Sequence, residues 1–104
     1  MIIQINTDNH IDGREELAQR AEATVAAALS HFARQITRIE VHLSDENSHK
    51  GGSDDKRCAM EARLEGRQPV GVTHQAATLD QAVAGAAAKL KRSLESTLGK
   101  LSNH

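Results

Sequence analysis

Two runs of strict alternation, separated by a polar loop, constrain this chain more than any other feature of it. Ile39, Val41 and Leu43 alternate with Arg38, Glu40, His42 and Ser44. From Lys56 to Glu65 the pattern resumes, with Cys58, Met60, Ala62 and Leu64 set against Arg57, Glu61, Arg63 and Glu65. Period two is the signature of a strand with one face buried and the other in water. The segment between the runs, Asp45 to Asp55, is polar and contains Gly51-Gly52, so a mobile hairpin loop is expected to join an antiparallel pair.

A sheet with one apolar face needs a second layer, and the rest of the sequence offers one. Ile3, Ile5 and Thr7 alternate with Gln4 and Asn6 from the first residues, and Val70 and Val72 open a weaker strand that ends near Ala76, after a turn over Gly66 to Pro69. Leu17, Ala21, Val25, Ala28, Leu29 and Phe32 recur at helical spacing, and Asp12 with Glu15 three residues later has the form of a capping box led by aspartate. Thr78 and Gln81 repeat that form ahead of Leu79, Val83, Ala86, Leu90, Leu94, Leu98 and Leu101, one stripe on a long final helix whose last turn Gly99 weakens. The predicted order is β-α-β-β-β-α. This is an α+β fold, a four-stranded mixed sheet with two helices packed on one face. One domain spanning residues 1–104 is expected, since 104 residues supply a single core.

Composition narrows the function. Phe32 is the only aromatic residue, so there is no platform on which unpaired bases could stack, and an RRM-like or OB-like reader is not expected. With 13 basic and 14 acidic residues the net charge is −1, and any hold on nucleic acid must come from where the charges stand. Cys58 is the lone cysteine, so no internal disulfide can form. A strand beginning at the first residue and the lack of an apolar span of about 18 residues predict a cytoplasmic protein with no targeting segment and no membrane partner.

The final helix holds the most informative surface. Wound at about 100° per residue, it places Arg92, Gly85, Ser96, Lys89, Lys100 and Ser93 opposite its apolar stripe, with no acidic residue among them. Lys and Arg would supply charge to a phosphate backbone, while Gly and Ser would allow close approach and add hydroxyl donors. Charge is polarised along the chain: residues 81–104 carry four cations against Glu95 alone, and residues 1–33 carry two against five anions. A terminal helix also gathers Lys and Arg for solubility and for its dipole, so the pattern alone leaves both readings open.

Other chemistries find no matching pattern. The histidines His10, His31, His42, His49, His74 and His104 form no His-x-x-x-His pair, and no metal site is expected. Asp45 and Asn47 open like a calcium loop, but Lys50 and Lys56 stand where its glycine and closing glutamate belong. Cys58 alternates with inward-facing residues and reads as a packed core thiol. No nucleophile-base spacing, phosphate loop or dinucleotide fingerprint accompanies the carboxylates, so neither catalytic residues, a cofactor nor a small-molecule substrate is expected. Arg38, Glu40, Arg57, Glu61 and Arg63 should pair across the outward face of the sheet.

From His31-Phe32 through Ile36-Thr37-Arg38-Ile39-Glu40-Val41-His42-Leu43, then Asp55-Lys56-Arg57-Cys58, the sequence resembles the ribosome hibernation-promoting factor and ribosome-associated inhibitor family, also called the sigma-54 modulation family. Leu79, Ala82-Val83 and Lys89-Leu90-Lys91-Arg92-Ser93-Leu94 extend the likeness, which runs from Ile2 to Leu101. The resemblance implies the same element order and no enzymatic activity. It also implies a single ribosome-binding domain that meets ribosomal RNA of the small ribosomal subunit in the channel of messenger and transfer RNA, holding off translation. Carried over residue by residue, RNA contacts would fall to Lys89 and Arg92, then Lys91 and Lys100, with Arg20 from the first helix. The chain departs from the family pattern at Asp80 and Ala84, and because it stops at His104 the dimerising domain of longer relatives is expected to be absent. The alternative is a protein-binding module of the same fold that has lost RNA binding.

Overall fold

The computed structural model describes residues 1–8, 11–45 and 55–102, with side chains as far as residue 98. Its elements follow the predicted order: β1 (Ile2–Thr7), α1 (Arg14–Ala28), β2 (Ile36–Asp45), β3 (Lys56–Leu64), β4 (Val70–Ala76) and α2 (Leu79–Ser102), with a short 3₁₀ turn over Ser30–Phe32 after α1. The strands lie side by side in the order β1-β2-β3-β4. β1 runs parallel to β2, with Ile3 beside Ile39 and Ile5 beside Val41. The other neighbours are antiparallel, Val41 facing Met60 and Met60 facing Val72. The hairpin loop expected between β2 and β3 falls, apart from Asp45 and Asp55, outside the described residues.

The sheet turns Ile39, Val41, Leu43, Cys58, Met60, Ala62 and Leu64 toward the helices, and α1 and α2 return Leu17, Ala21, Val25, Val83, Leu90 and Leu94. With no aromatic side chain among the buried residues, the fit is made by alanines: Ala62 on the sheet and Ala82, Ala86 and Ala87 on α2 are buried and let backbone layers approach closely. No polar or charged side chain is buried among the described residues. Ile36 joins this core although it stands three positions from Ile39, out of phase with the alternation. A register shift between Ile36 and Arg38 inserts the extra residue that brings both isoleucines to one face, 2% and 0% exposed.

The two helix starts differ. At α2 the expected cap forms, the Gln81 amide donating to Thr78 Oγ1 at 3.1 Å while the Ala82 amide reaches the Thr78 carbonyl at 3.0 Å. At α1 the aspartate-led capping box does not form. The capping residue is Gly13, at φ 66°, with no side-chain cap. Ile11 is buried, and a left-handed residue is needed to turn the chain from it into the helix, a conformation glycine takes without the clash that a Cβ would bring. Asp12 is thereby left one position early and exposed. Helix α1 also ends at Ala28, and Phe32 reaches the core edge from the 3₁₀ turn instead.

Candidate nucleic-acid interface

The face of α2 that holds Ala82, Val83, Ala86, Ala87, Leu90 and Leu94 is pinned to the sheet, which fixes where its charges point. Arg92 and Ser96 are exposed and Ser93 half-buried. Among the described residues Arg92 makes no ion pair and no side-chain hydrogen bond, so its guanidinium keeps all its donors for a ligand. Lys91 stands one residue away and is half-buried. The backbone of Lys100 is helical, but its side chain lies outside the described residues.

Lys89 lies along the flank where α2 meets β4. Its ammonium donates to the Thr73 carbonyl at 2.9 Å, which satisfies a backbone acceptor of the edge strand and leans the side chain toward the sheet. The same flank explains Gly85. A Cβ at this position would stand 2.1 Å from Cδ2 and 2.2 Å from Nε2 of His74, so the smallness that reads in sequence as room for a phosphate is filled here by an imidazole from β4.

Arg20 stands elsewhere. From α1 it grips the first turn of α2, Nε to Asp80 Oδ1 at 3.1 Å and Nη2 to Oδ2 at 3.3 Å. Both side chains remain more than half exposed, at 56% and 60%. Asp80 precedes Arg92 by twelve residues, or about 18 Å of helix at 1.5 Å per residue. The structure therefore holds Lys89, Lys91 and Arg92 within one turn of α2, with Lys91 about 160° around the helix from Lys89, and leaves Arg20 at a separate station. Sequence reasoning found the cations but not their partners, because Thr73 and Asp80 carry no signal of contact until the elements pack.

The opposite face of the sheet has a different electrostatic character. Glu40 lies between two guanidiniums, with Arg63 Nη2 at 3.3 Å across the β2–β3 pair and Arg38 Nε at 3.7 Å. Arg63 Nε also reaches Glu61 at 3.4 Å, and Arg38 donates to the side chain of Gln4. The expected cross-strand pairing is thus realised through Arg63 and Glu40. Glu40, His42 and Glu61 border a shallow depression of about 420 Å³ over Ala59, Gly71 and Thr73. Both carboxylates at its rim are engaged by arginines, Glu40 by Arg38 and Arg63 and Glu61 by Arg63, so this face presents paired charges.

The remaining reactive groups are held in place by structure. Lys56 bridges Asp55 at 3.0 Å and Asp45 at 3.2 Å, and these carboxylates, Asp55 first, hold its ammonium above the ordinary lysine range against the opposing effect of desolvation. Burial pushes the Cys58 thiol up to about 12, so at neutral pH it is a protonated core side chain and not a nucleophile. Among the described residues no three His, Cys, Asp or Glu side chains gather as a metal site would require. No helix among them is long and apolar enough to cross a membrane.

Comparison with known proteins gives the scaffold a context. The family model described as Sigma 54 modulation protein / S30EA ribosomal protein matches residues 3–102. Among solved structures, the N-terminal domain of Protein Y from Thermus thermophilus superimposes with a TM-score of 0.73 at 18% identity, covering 93% of this chain and 99% of that one. A ribosomal subunit interface protein from Coxiella burnetii gives a TM-score of 0.72 at 16% identity, covering 95% and 99%. At such identities these structures speak for the fold. No curated protein sequence matches the chain.

Proposed function

The chain belongs to the Sigma 54 modulation protein / S30EA ribosomal protein family, and from that premise we propose that it is a ribosome-associated hibernation factor. It binds ribosomal RNA of the small subunit in the channel of messenger and transfer RNA, and so inhibits translation in the cytoplasm. The observation that carries the reading is the stretch of α2 from Lys89 to Arg92, three cations in four residues with no acidic residue between them, on a helix whose buried stripe of Ala86, Leu90 and Leu94 leaves Lys89 and Arg92 exposed. Arg92 takes the lead because its donors are uncommitted among the described residues. Lys89 follows by exchanging the Thr73 carbonyl for a phosphate. Lys91 and Lys100 add charge along the same helix, and Arg20 belongs to the far end of the footprint. Binding of this kind uses charge and shape alone, with no group transfer and no cofactor.

Sedimentation through a sucrose gradient with purified small ribosomal subunits tests the proposal. At low salt the protein should travel with the particle, and raising the salt should release it steeply, because each neutralised phosphate returns counterions to solution. A protein that stays at the top of the gradient at low salt ends the proposal. The net charge of −1 and the commitment of Arg20 to Asp80 favour one rival, a protein-binding module of the same fold. That module would bind its partner with little response to salt.

A further inference from the structure

We propose that Asp80 is an internal competitor for RNA: its carboxylate occupies on Arg20 the place of a phosphate, and binding at this end of the footprint requires the exchange of one anion for the other. The inference rests on the ribosomal-RNA reading given above and adds to it a residue that sets affinity. The contact has the geometry by which a guanidinium takes a phosphate, two parallel hydrogen bonds at 3.1 and 3.3 Å from Nε and Nη2 to the two oxygens of one anion. A guanidinium so engaged has most of its charge cancelled and two of its five donors spent. Both partners are exposed, so water and salt screen the pair and the bridge is weak enough to open. Asp80 in turn lies in the first turn of α2, where a carboxylate is favoured by the helix dipole and stays ordered when Arg20 leaves it. The bridge joins residues sixty positions apart in sequence and ties α1 to the first turn of α2, twelve residues before Arg92. The device keeps one cation paired in the free protein, and a surface rich in phosphate can draw it from its carboxylate.

The test is a double-mutant cycle with purified small ribosomal subunits as the probe. The proteins are the unaltered chain, Asp80→Asn, Arg20→Gln and the double variant, with Glu95→Gln as a control that removes the same charge from the exposed side of the same helix. Asp80→Asn should tighten binding roughly three- to tenfold and steepen the salt dependence by nearly one phosphate equivalent. Glu95→Gln should give a smaller gain that is the same with or without Arg20, and in the Arg20→Gln background the gain from Asp80→Asn should fall to that level. A gain from Asp80→Asn that persists in full without Arg20 overturns the exchange, since it would reflect only lost repulsion. Unchanged or weakened binding overturns it too, since Asp80 would then merely orient Arg20. The ribosomal reading fails separately, if none of the proteins sediments with the subunit or if loss of charge at Lys89 and Arg92 leaves binding untouched. Thermal melting of each variant confirms that the fold is intact.

Discussion

The imidazole of His74 on β4 fills the space in which a side chain at Gly85 of α2 would stand: a Cβ there would lie 2.1 Å from the ring. Gly85 is half-buried in the seam, so the added methyl must displace the ring or part the helix from the edge strand. Overpacking of this kind costs about 1–3 kcal/mol, against a gain of about 1 kcal/mol when alanine replaces glycine within a helix. Gly85→Ala should therefore lower stability in urea unfolding. In a His74→Ala background the obstacle is gone, and the same substitution should raise stability. No change of sign between the backgrounds would mean that His74 does not determine the glycine.

Leu90 is fully buried beneath α2, with Val83, Ala86, Ala87 and Leu94 on the same helix face. Leu90→Ala removes its transfer free energy and leaves a cavity between α2 and the sheet, at a cost of roughly 2–5 kcal/mol. Because the core lacks aromatic residues and already contains many alanines, few side chains nearby are large enough to relax into the void. The loss should fall in the upper part of that range, and an unchanged melting curve would contradict this placement of the helix.

Elements that bury one face print their period in the sequence, which is why all four strands, both helices and their order could be read in advance. Cys58, Met60, Ala62 and Leu64 could be set toward the core by alternation alone, and Thr78 could be read as a cap. What escaped reading depends on contacts between elements or on local departures from regularity. The register shift that buries Ile36 and the left-handed Gly13 that replaces an aspartate cap are irregular by nature. Gly85 reads as an opening for phosphate because only the packed structure brings His74 against it. The cations of the candidate site were legible by type and helical face, but the Thr73 carbonyl that receives Lys89 and the carboxylate that holds Arg20 become visible only after β4 and the helices assemble.

Cys58 gives a pH signature whose sign follows from its burial. Its thiol is held at about 12 in the folded chain against an ordinary 9.0, so folding favours the protonated form. The corresponding stability is complete below pH 9 and is lost as pH rises toward 12, because the unfolded chain ionises first. Cys58→Ala removes this component, and comparing it with the unaltered chain cancels the titration of lysines common to both. The stability advantage of the unaltered chain should be smaller at pH 10 than at pH 8 by about 1.4 kcal/mol, the worth of one pH unit. In native protein at pH 8 the thiol should resist a thiol reagent that labels it at once in urea. Rapid labelling without denaturant would contradict the burial.

The sharpest prediction for the candidate interface compares two pairs of cations on opposite faces of the molecule. Lys89→Gln with Arg92→Gln removes two positive charges from α2, and Arg57→Gln with Arg63→Gln removes two from the outward side of β3. Neutralisation is preferable to reversal in the second pair, since Arg63 lies between Glu40 and Glu61 and a glutamate there would crowd three carboxylates together. Lys89 and Arg92 are exposed, and apart from the Thr73 carbonyl they hold up nothing in the core. Their removal should shift stability by no more than about 0.5 kcal/mol, as is usual for surface positions. Binding to small ribosomal subunits should nevertheless fall severely, and the slope of log affinity against log salt should shrink by nearly two phosphate equivalents. Arg63 is engaged by Glu40 and Glu61 and the sheet pair stands outside the proposed footprint, so its loss should leave the slope unaltered and the affinity only slightly reduced. Equal losses in the two variants would show that net charge alone governs binding. A loss confined to the sheet variant would move the interface from α2 to the open face of the sheet.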